Sequence, residues 1–179
     1  MLRLFVALPI AEDAAEAFLG LQGGLPGVRW QPQDNLHLTL VFLGDTREPD
    51  AEELMQALAD LPTGPIPLRP TQISAFGRPH QPRSLVVLME QNDELMALQG
   101  RVERTARALG LEPETRKFTP HVTIGRCGRD VDATGMERWL ASHIGAALPG
   151  WMAEEMIVYS SILRPEGSLY REEAIYPLF

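Results

Sequence analysis

His37-Leu38-Thr39-Leu40 and, further along, His121-Val122-Thr123-Ile124 repeat one pattern of histidine, aliphatic, threonine, aliphatic. Only four histidines occur in the 179-residue chain, and two of them open this pattern. In a β-strand, side chains alternate between faces, so His37 and Thr39 share one face while Leu38 and Leu40 share the other. His121 and Thr123 are set against Val122 and Ile124 in the same way. Each copy therefore buries an aliphatic pair and presents an imidazole beside a hydroxyl. Two such strands meeting in a groove supply an acid and a base from the histidines and two hydroxyls to hold an anion.

Working outward, the first motif strand is expected over about 35–43, ending at Gly44-Asp45. Before it, Leu2–Leu8 reads as a strand stopped by Pro9, and Ala11–Gln22 as a helix ended by Gly23-Gly24. Residues 25–34 read as a turn-rich connection. After the motif, a helix is expected from Pro49-Asp50 to about Leu61, then an extended Pro-rich stretch from Pro62 to Pro70. Strands over 71–76 and 84–90 flank a loop, and a long helix follows over 93–109, capped by Asn92 and stopped by Gly110. The second motif strand is expected over 117–127. A weaker helix over 133–147 and a closing hairpin, 151–163 with 169–179 around Pro165-Glu166-Gly167, complete the chain. Helices alternating with short strands point to an α+β or α/β domain, and the duplicated motif to two similar halves facing across a cleft. No flexible linker separates the halves, so residues 1–179 read as one bilobal domain.

Composition sets further bounds. At 45% hydrophobic the chain is ordinary for a globular protein, and a net charge of −8 argues against non-specific binding to a long nucleic-acid backbone. The charge is uneven: residues 101–129 carry seven basic side chains against three acidic ones, a local potential that favours a small anion. Arg101, Arg104 and Arg107 equally fit a solvated helix face. Cys127 is the only cysteine, which fits a reducing compartment, and the apolar stretch Leu4–Ile10 is too short to span a membrane; a cytoplasmic location is expected.

Other chemistries leave no trace. The sequence contains no phosphate-binding G-x-x-x-x-G-K-[ST] loop, no G-x-G-x-x-G, no G-x-S-x-G and no H-E-x-x-H. A metal between His37 and His121 would need further ligands, and no cluster supplies them at recognisable spacing. Strict alternation puts Cys127 on the His121 face but about 20 Å along the strand, too far for a nucleophile there. His80 and His143 read as surface residues. Two histidines and two threonines suffice for in-line transfer at phosphorus: one neutral imidazole takes a proton from water while the other, as imidazolium, protonates the departing oxygen. The hydroxyls and nearby backbone N–H groups hold the non-bridging oxygens.

The motifs in their contexts, DNLHLTLVFLG and FTPHVTIGR, resemble the 2H phosphoesterase superfamily. RLFVALPI at the start, RW before the first motif, FGRP followed by SLVVL, and the ending YSSILRPEGSLYREEAIYPL resemble its RNA 2′,3′-cyclic phosphodiesterase branch, once called 2′-5′ RNA ligases. The resemblance implies a bilobal α+β fold, with antiparallel sheets lining a central cleft and helices outside. It also implies opening of 2′,3′-cyclic phosphate ends of RNA, or of cyclic nucleotides, to 2′-phosphates by a monomer without cofactor, metal or membrane. His37 would then protonate the leaving 3′ oxygen, His121 would activate water, and Thr39 and Thr123 would grip the phosphate. From the sequence the two histidine roles are exchangeable. Arg126 follows the second motif as an arginine does in that branch, although strict alternation places it on the face opposite His121 unless a bulge intervenes. Trp30, Phe76, Phe118, Tyr159 and Tyr170 are candidates for stacking on a base. A non-catalytic module holding RNA ends and a 2′-5′ RNA-joining enzyme are the alternative readings.

Overall fold

A computed structural model describes residues 1–61 and 63–179. The elements run β1 (Leu2–Pro9), α1 (Glu12–Leu21), β2 (Val28–Trp30), a 3-10 turn (Gln33–Asn35), β3 (His37–Thr46), α2 (Glu48–Ala59), β4 (Ile66–Leu68), β5 (Pro70–Arg78), β6 (Gln81–Met89) and α3 (Asp93–Ala108). They finish with β7 (His121–Cys127), α4 (Ala133–Ser142), β8 (Trp151–Ala153), β9 (Glu155–Arg164) and β10 (Gly167–Pro177). Within the α+β architecture, β10-β9-β1-β3 form one lobe's antiparallel sheet, and β7-β6-β5 with β2 form the other's. The short β4 and β8 pair separately.

The two lobes join edge to edge at the motif strands. β3 and β7 meet at a single register pair, Leu38 with Val122, and then splay apart. Both residues are fully buried, as is Ile124, so the aliphatic side of each motif forms the floor between the lobes. This floor belongs to one core with Phe18 and Leu21 of α1, Leu54 and Leu58 of α2, and Leu95, Leu98 and Val102 of α3. A strand, a helix and a motif strand antiparallel to the first occur in both lobes: β1-α1-β3 and β6-α3-β7.

Most elements lie where periodicity predicts, and the differences have local causes. The cap of α3 is as expected, with the Asn92 side chain accepting from the Leu95 N–H at 2.8 Å. Residues 117–120 are not strand, because Pro120 has no N–H and its carbonyl is taken by Met89 before β7 pairs with β6. The connection 25–34 contains β2, whose three residues are too short for a periodic signal. α4 ends at Ser142 rather than near 147. Within the expected Pro-rich stretch 62–70, Ile66–Leu68 is strand, and Pro62 lies outside the described residues.

Each motif strand carries a bulge just past its threonine. On β3 the register steps from Thr39 to Val41 while β1 steps only from Ala7 to Val6. On β7 it steps from Thr123 to Gly125 while β6 steps only from Val86 to Leu85. The extra residues are Leu40 and Ile124, the last of each motif. A bulge resets the alternation beyond it, so Phe42 and Arg126, each five residues after its histidine, turn toward the His/Thr face. Cys127 turns the other way and packs against the core, so strict alternation fails for both residues.

Candidate active site

The pairing of Leu38 with Val122 fixes the surroundings of both histidines. In an antiparallel ladder it puts His37 across from Thr123 and Thr39 across from His121, all on the face away from the core. The histidines are then diagonal neighbours across the seam. His37, Thr39, His121 and Thr123 all line one cavity of about 830 Å³. Arg126 lines it too, from beyond the bulge.

Both imidazoles are held alike. His37 Nδ1 donates to the Asn35 carbonyl at 2.8 Å, and His121 Nδ1 donates to the Thr119 carbonyl at 2.7 Å, each two residues upstream. This bond assigns the proton to Nδ1 and leaves Nε2 with its lone pair for chemistry. At His37 that lone pair accepts from the Thr39 hydroxyl at 2.9 Å. Asn35 is tied down in turn, its side-chain amide donating to the Ser168 carbonyl at 2.9 Å. Aromatic rings set the ring planes: Phe5 lies 4.9 Å from His37 and Tyr170 meets it edge-on at 5.2 Å, while Phe76 meets His121 edge-on at 4.8 Å.

The electrostatics favour neutral histidines. Burial pushes His37 from 6.5 down to about 4; the Asn35 carbonyl opposes this, and the positive charges of Arg126 and His121 add to it. His121 is lowered too, first by burial, against the pull of its Thr119 hydrogen bond, and further by Arg126 and Arg116. An anion bound among these groups would reverse the Coulombic part.

The bulge that aims Arg126 is itself held in place. The Ile124 carbonyl accepts from the Gln31 N–H at 3.0 Å and from the Gln22 side-chain amide at 3.2 Å. At Gly125 a Cβ would lie 2.6 Å from Val28 Cγ1 and 3.1 Å from Trp30 Cε3, so β2 can cover the bulge only because that residue is glycine.

Of the aromatic candidates, Phe76, Phe118 and Tyr170 line the cavity. Tyr159 lies behind the site, stacked on Phe5 at 5.2 Å. Trp30 packs on Trp139 at 5.6 Å and borders a neighbouring groove instead. Among the cations of 101–129, Lys117, Arg126 and Arg116 reach the cavity, the last paired with Glu114 of the same cavity, whereas Arg107 is paired with Glu103 along α3. Arg78, within the FGRP segment, and Arg83 of the β5–β6 hairpin also line it; neither was read as a site residue, since only the pairing of β6 with β7 brings them there. Burial raises the Cys127 thiol, which keeps it protonated and unreactive. Among the described residues no group of three or more His, Cys, Asp or Glu side chains is gathered as for a metal ion, and no helix is long and apolar enough to cross a membrane.

A family model described as LigT like Phosphoesterase matches this chain twice, over residues 8–86 and 87–170, each match containing one motif. The chain belongs to the LigT-like phosphoesterase family. This bears out the resemblance to the 2H superfamily read from the motifs. A Thermotoga maritima protein named RNA 2′,3′-cyclic phosphodiesterase is 30% identical over 179 aligned residues, covering 95% of this chain and 92% of its own. An Archaeoglobus fulgidus protein of the same name is 26% identical, covering 98% and 99%. The fold is that of E. coli LigT in its apo form, with a TM-score of 0.76 at 21% identity over 99% of this chain and 97% of that one. A Thermus thermophilus structure matches with a TM-score of 0.78 at 23% identity, over 98% and 97%.

Proposed function

We propose that this phosphoesterase hydrolyses RNA or nucleotide 2′,3′-cyclic phosphates to 2′-phosphates, using its two motif histidines as acid and base without a metal. The observation that carries the reading is the pairing of Leu38 with Val122, which sets both imidazoles and both threonines on one face of one cavity. Relatives named RNA 2′,3′-cyclic phosphodiesterase at 26–30% identity support the substrate class, as does the description of E. coli LigT complexed with 3′-AMP.

The cyclic phosphate sits between the two rings. His121 Nε2 takes a proton from water as the water oxygen attacks phosphorus; the bond to the 3′ oxygen breaks, and His37 Nε2 delivers its proton to that oxygen. Thr39 and Thr123 donate to the non-bridging oxygens, and Arg126 stabilises the charge that builds on them. Thr39 turns its hydroxyl from His37 to the phosphate when substrate binds, which frees Nε2 for its proton. Because burial favours neutral His37, the anionic substrate supplies the field that lets it carry the proton it donates. The protein acts as a monomer in the cytoplasm on RNA ends, needing no cofactor.

The test is product analysis on an oligonucleotide ending in a 2′,3′-cyclic phosphate. The wild type should yield the 2′-phosphate, indifferent to chelator. His37→Ala and His121→Ala should each lose about two to four powers of ten in turnover with the fold intact. Activity abolished by EDTA and restored by zinc would remove the mechanism, and tight binding with no product would reduce the protein to a holder of RNA ends.

A further inference from the structure

A second groove, about 300 Å³, opens beside the histidine cavity between β2 with its following turn and the β9–β10 end of the other lobe. The two spaces share Gln31, Asn35, Arg126 and Tyr170, so a chain seated at the histidines can pass directly from one to the other. Three arginines line the groove: Arg29, Arg126 and Arg164. Two of them are direct cross-strand partners, Arg29 of β2 opposite Arg126 of β7. Their Cβ atoms are about 4.5–5.5 Å apart, and like charges so placed destabilise a sheet. Among the described residues none of the three forms an ion pair, although Asp34 and Glu166 also line the groove.

Two exposed like charges at directly paired positions contribute nothing favourable to folding, whereas an anion lying between them offsets their repulsion. We infer that this groove is a second phosphate subsite, which takes the phosphodiester on the 5′ side of the terminal nucleotide while the terminal cyclic phosphate lies at the histidines. The inference rests on the hydrolase reading for the position of the RNA end. It narrows the substrate from cyclic nucleotides in general to RNA ends with at least one internal linkage. Arg126 belongs to both phosphates, Arg29 and Arg164 to the inner one.

Binding separates this from catalysis. The probes are adenosine 2′-phosphate, the dinucleotide ApA 2′-phosphate, and the same dinucleotide with an uncharged methylphosphonate linkage, each titrated into the wild type and into Arg29→Gln/Arg164→Gln. The wild type should hold the charged dinucleotide about fivefold more tightly than the methylphosphonate, and the double variant should lose that difference. The affinity for the charged probe should also fall less steeply with added salt in the double variant than in the wild type. The double variant should unfold at or above the wild-type temperature, because a repulsion has been relieved; a purely structural role for Arg29 predicts the reverse. Equal wild-type affinity for the two dinucleotides overturns the inference. So does a charge preference that survives in the double variant but vanishes in Arg78→Gln/Arg83→Gln, which would send the chain over the opposite wall. Turnover of the cyclic dinucleotide without charge discrimination overturns the groove alone; charge discrimination without any turnover supports the groove and overturns the hydrolase reading.

Discussion

Replacing His37 by glutamine should flatten the pH dependence of stability, with a sign fixed by the burial of the ring. The folded protein holds His37 near 4, against 6.5 in the unfolded chain. As pH falls through 6.5 the unfolded chain takes up this proton first, so unfolding is favoured. The contribution of neutral His37 is fully present above 6.5 and is lost progressively as pH falls to about 4. At about 1.4 kcal/mol per pKa unit the whole effect is roughly 3 kcal/mol, of which about 2.5 kcal/mol falls between pH 7.5 and 4.5. Urea unfolding of wild type and His37→Gln at those two pH values isolates it, because His121 and the carboxylates are common to both chains. Glutamine also loses the packing against Phe5 and the bonds to Asn35 and Thr39, so the variant should be weaker at pH 7.5 and should close the gap, or cross over, at pH 4.5. Equal losses in the two chains, within about 0.5 kcal/mol, would refute the reasoning, as would an NMR titration of the His37 ring near its ordinary 6.5.

Three further outcomes follow from the site. Arg126→Gln removes a cation that lowers both histidines, so both ring titrations should move upward, and turnover of a cyclic phosphate should fall by about two to three powers of ten, mainly in kcat; unmoved titrations would separate Arg126 from the pair. Gly125→Ala drives a methyl into Val28 and Trp30 and should destabilise by about 1–3 kcal/mol, lowering the calorimetric Tm by about 2–4 °C per kcal/mol; an unchanged Tm would mean that β2 is free to move off the bulge. Cys127→Ala should keep turnover within about twofold, since the thiol packs on the core side and burial holds it protonated, and a hundredfold loss would reopen a nucleophilic role.

Much of this site was legible because the motif's chemistry and its periodicity coincide. His37, Thr39, His121 and Thr123 share a face by the simple rule of strands, and the structure brings all four to one cavity. Arg126 was not legible by that rule, because a bulge is a tertiary event. It depends on Gln22 and Gln31 meeting the Ile124 carbonyl and on β2 packing over Gly125, none of which leaves a period in the sequence. The same reset reverses the expectation for Cys127. Asn35 and Thr119 escaped notice for a different reason: each orients its histidine through a backbone carbonyl, which any residue could supply. Arg29 and Arg78 lie in the RW and FGRP segments of the resemblance, but their place at the site, like that of Arg83, comes from strand pairing across the sequence, which composition and local spacing do not encode.

The bulges also give a near-symmetric scaffold two unlike halves, as the proposed acid–base reaction would use. Each lobe supplies a histidine, a threonine and a bulge at the same offsets, so the backbone alone would make the two imidazoles equivalent. What each bulge turns into the cavity differs: Phe42 from the first lobe, with Arg3 5.1 Å over its ring, and Arg126 from the second. Burial differs as well. His37 lies between Phe5 and Tyr170 and falls to about 4, whereas His121 borders the polar wall that holds Arg116. Both rings touch an aromatic side chain and both feel Arg126, but His37 is the more deeply buried and Arg116 acts on His121 alone, so an incoming phosphate meets two unlike partners. In the proposed mechanism the two roles follow from which ring faces the attacking water and which faces the departing oxygen, and the unlike surroundings let the two rings hold their protons differently. The duplicated motif supplies the pair; Arg126 acts on both members, and the deeper burial of His37 between Phe5 and Tyr170 distinguishes them.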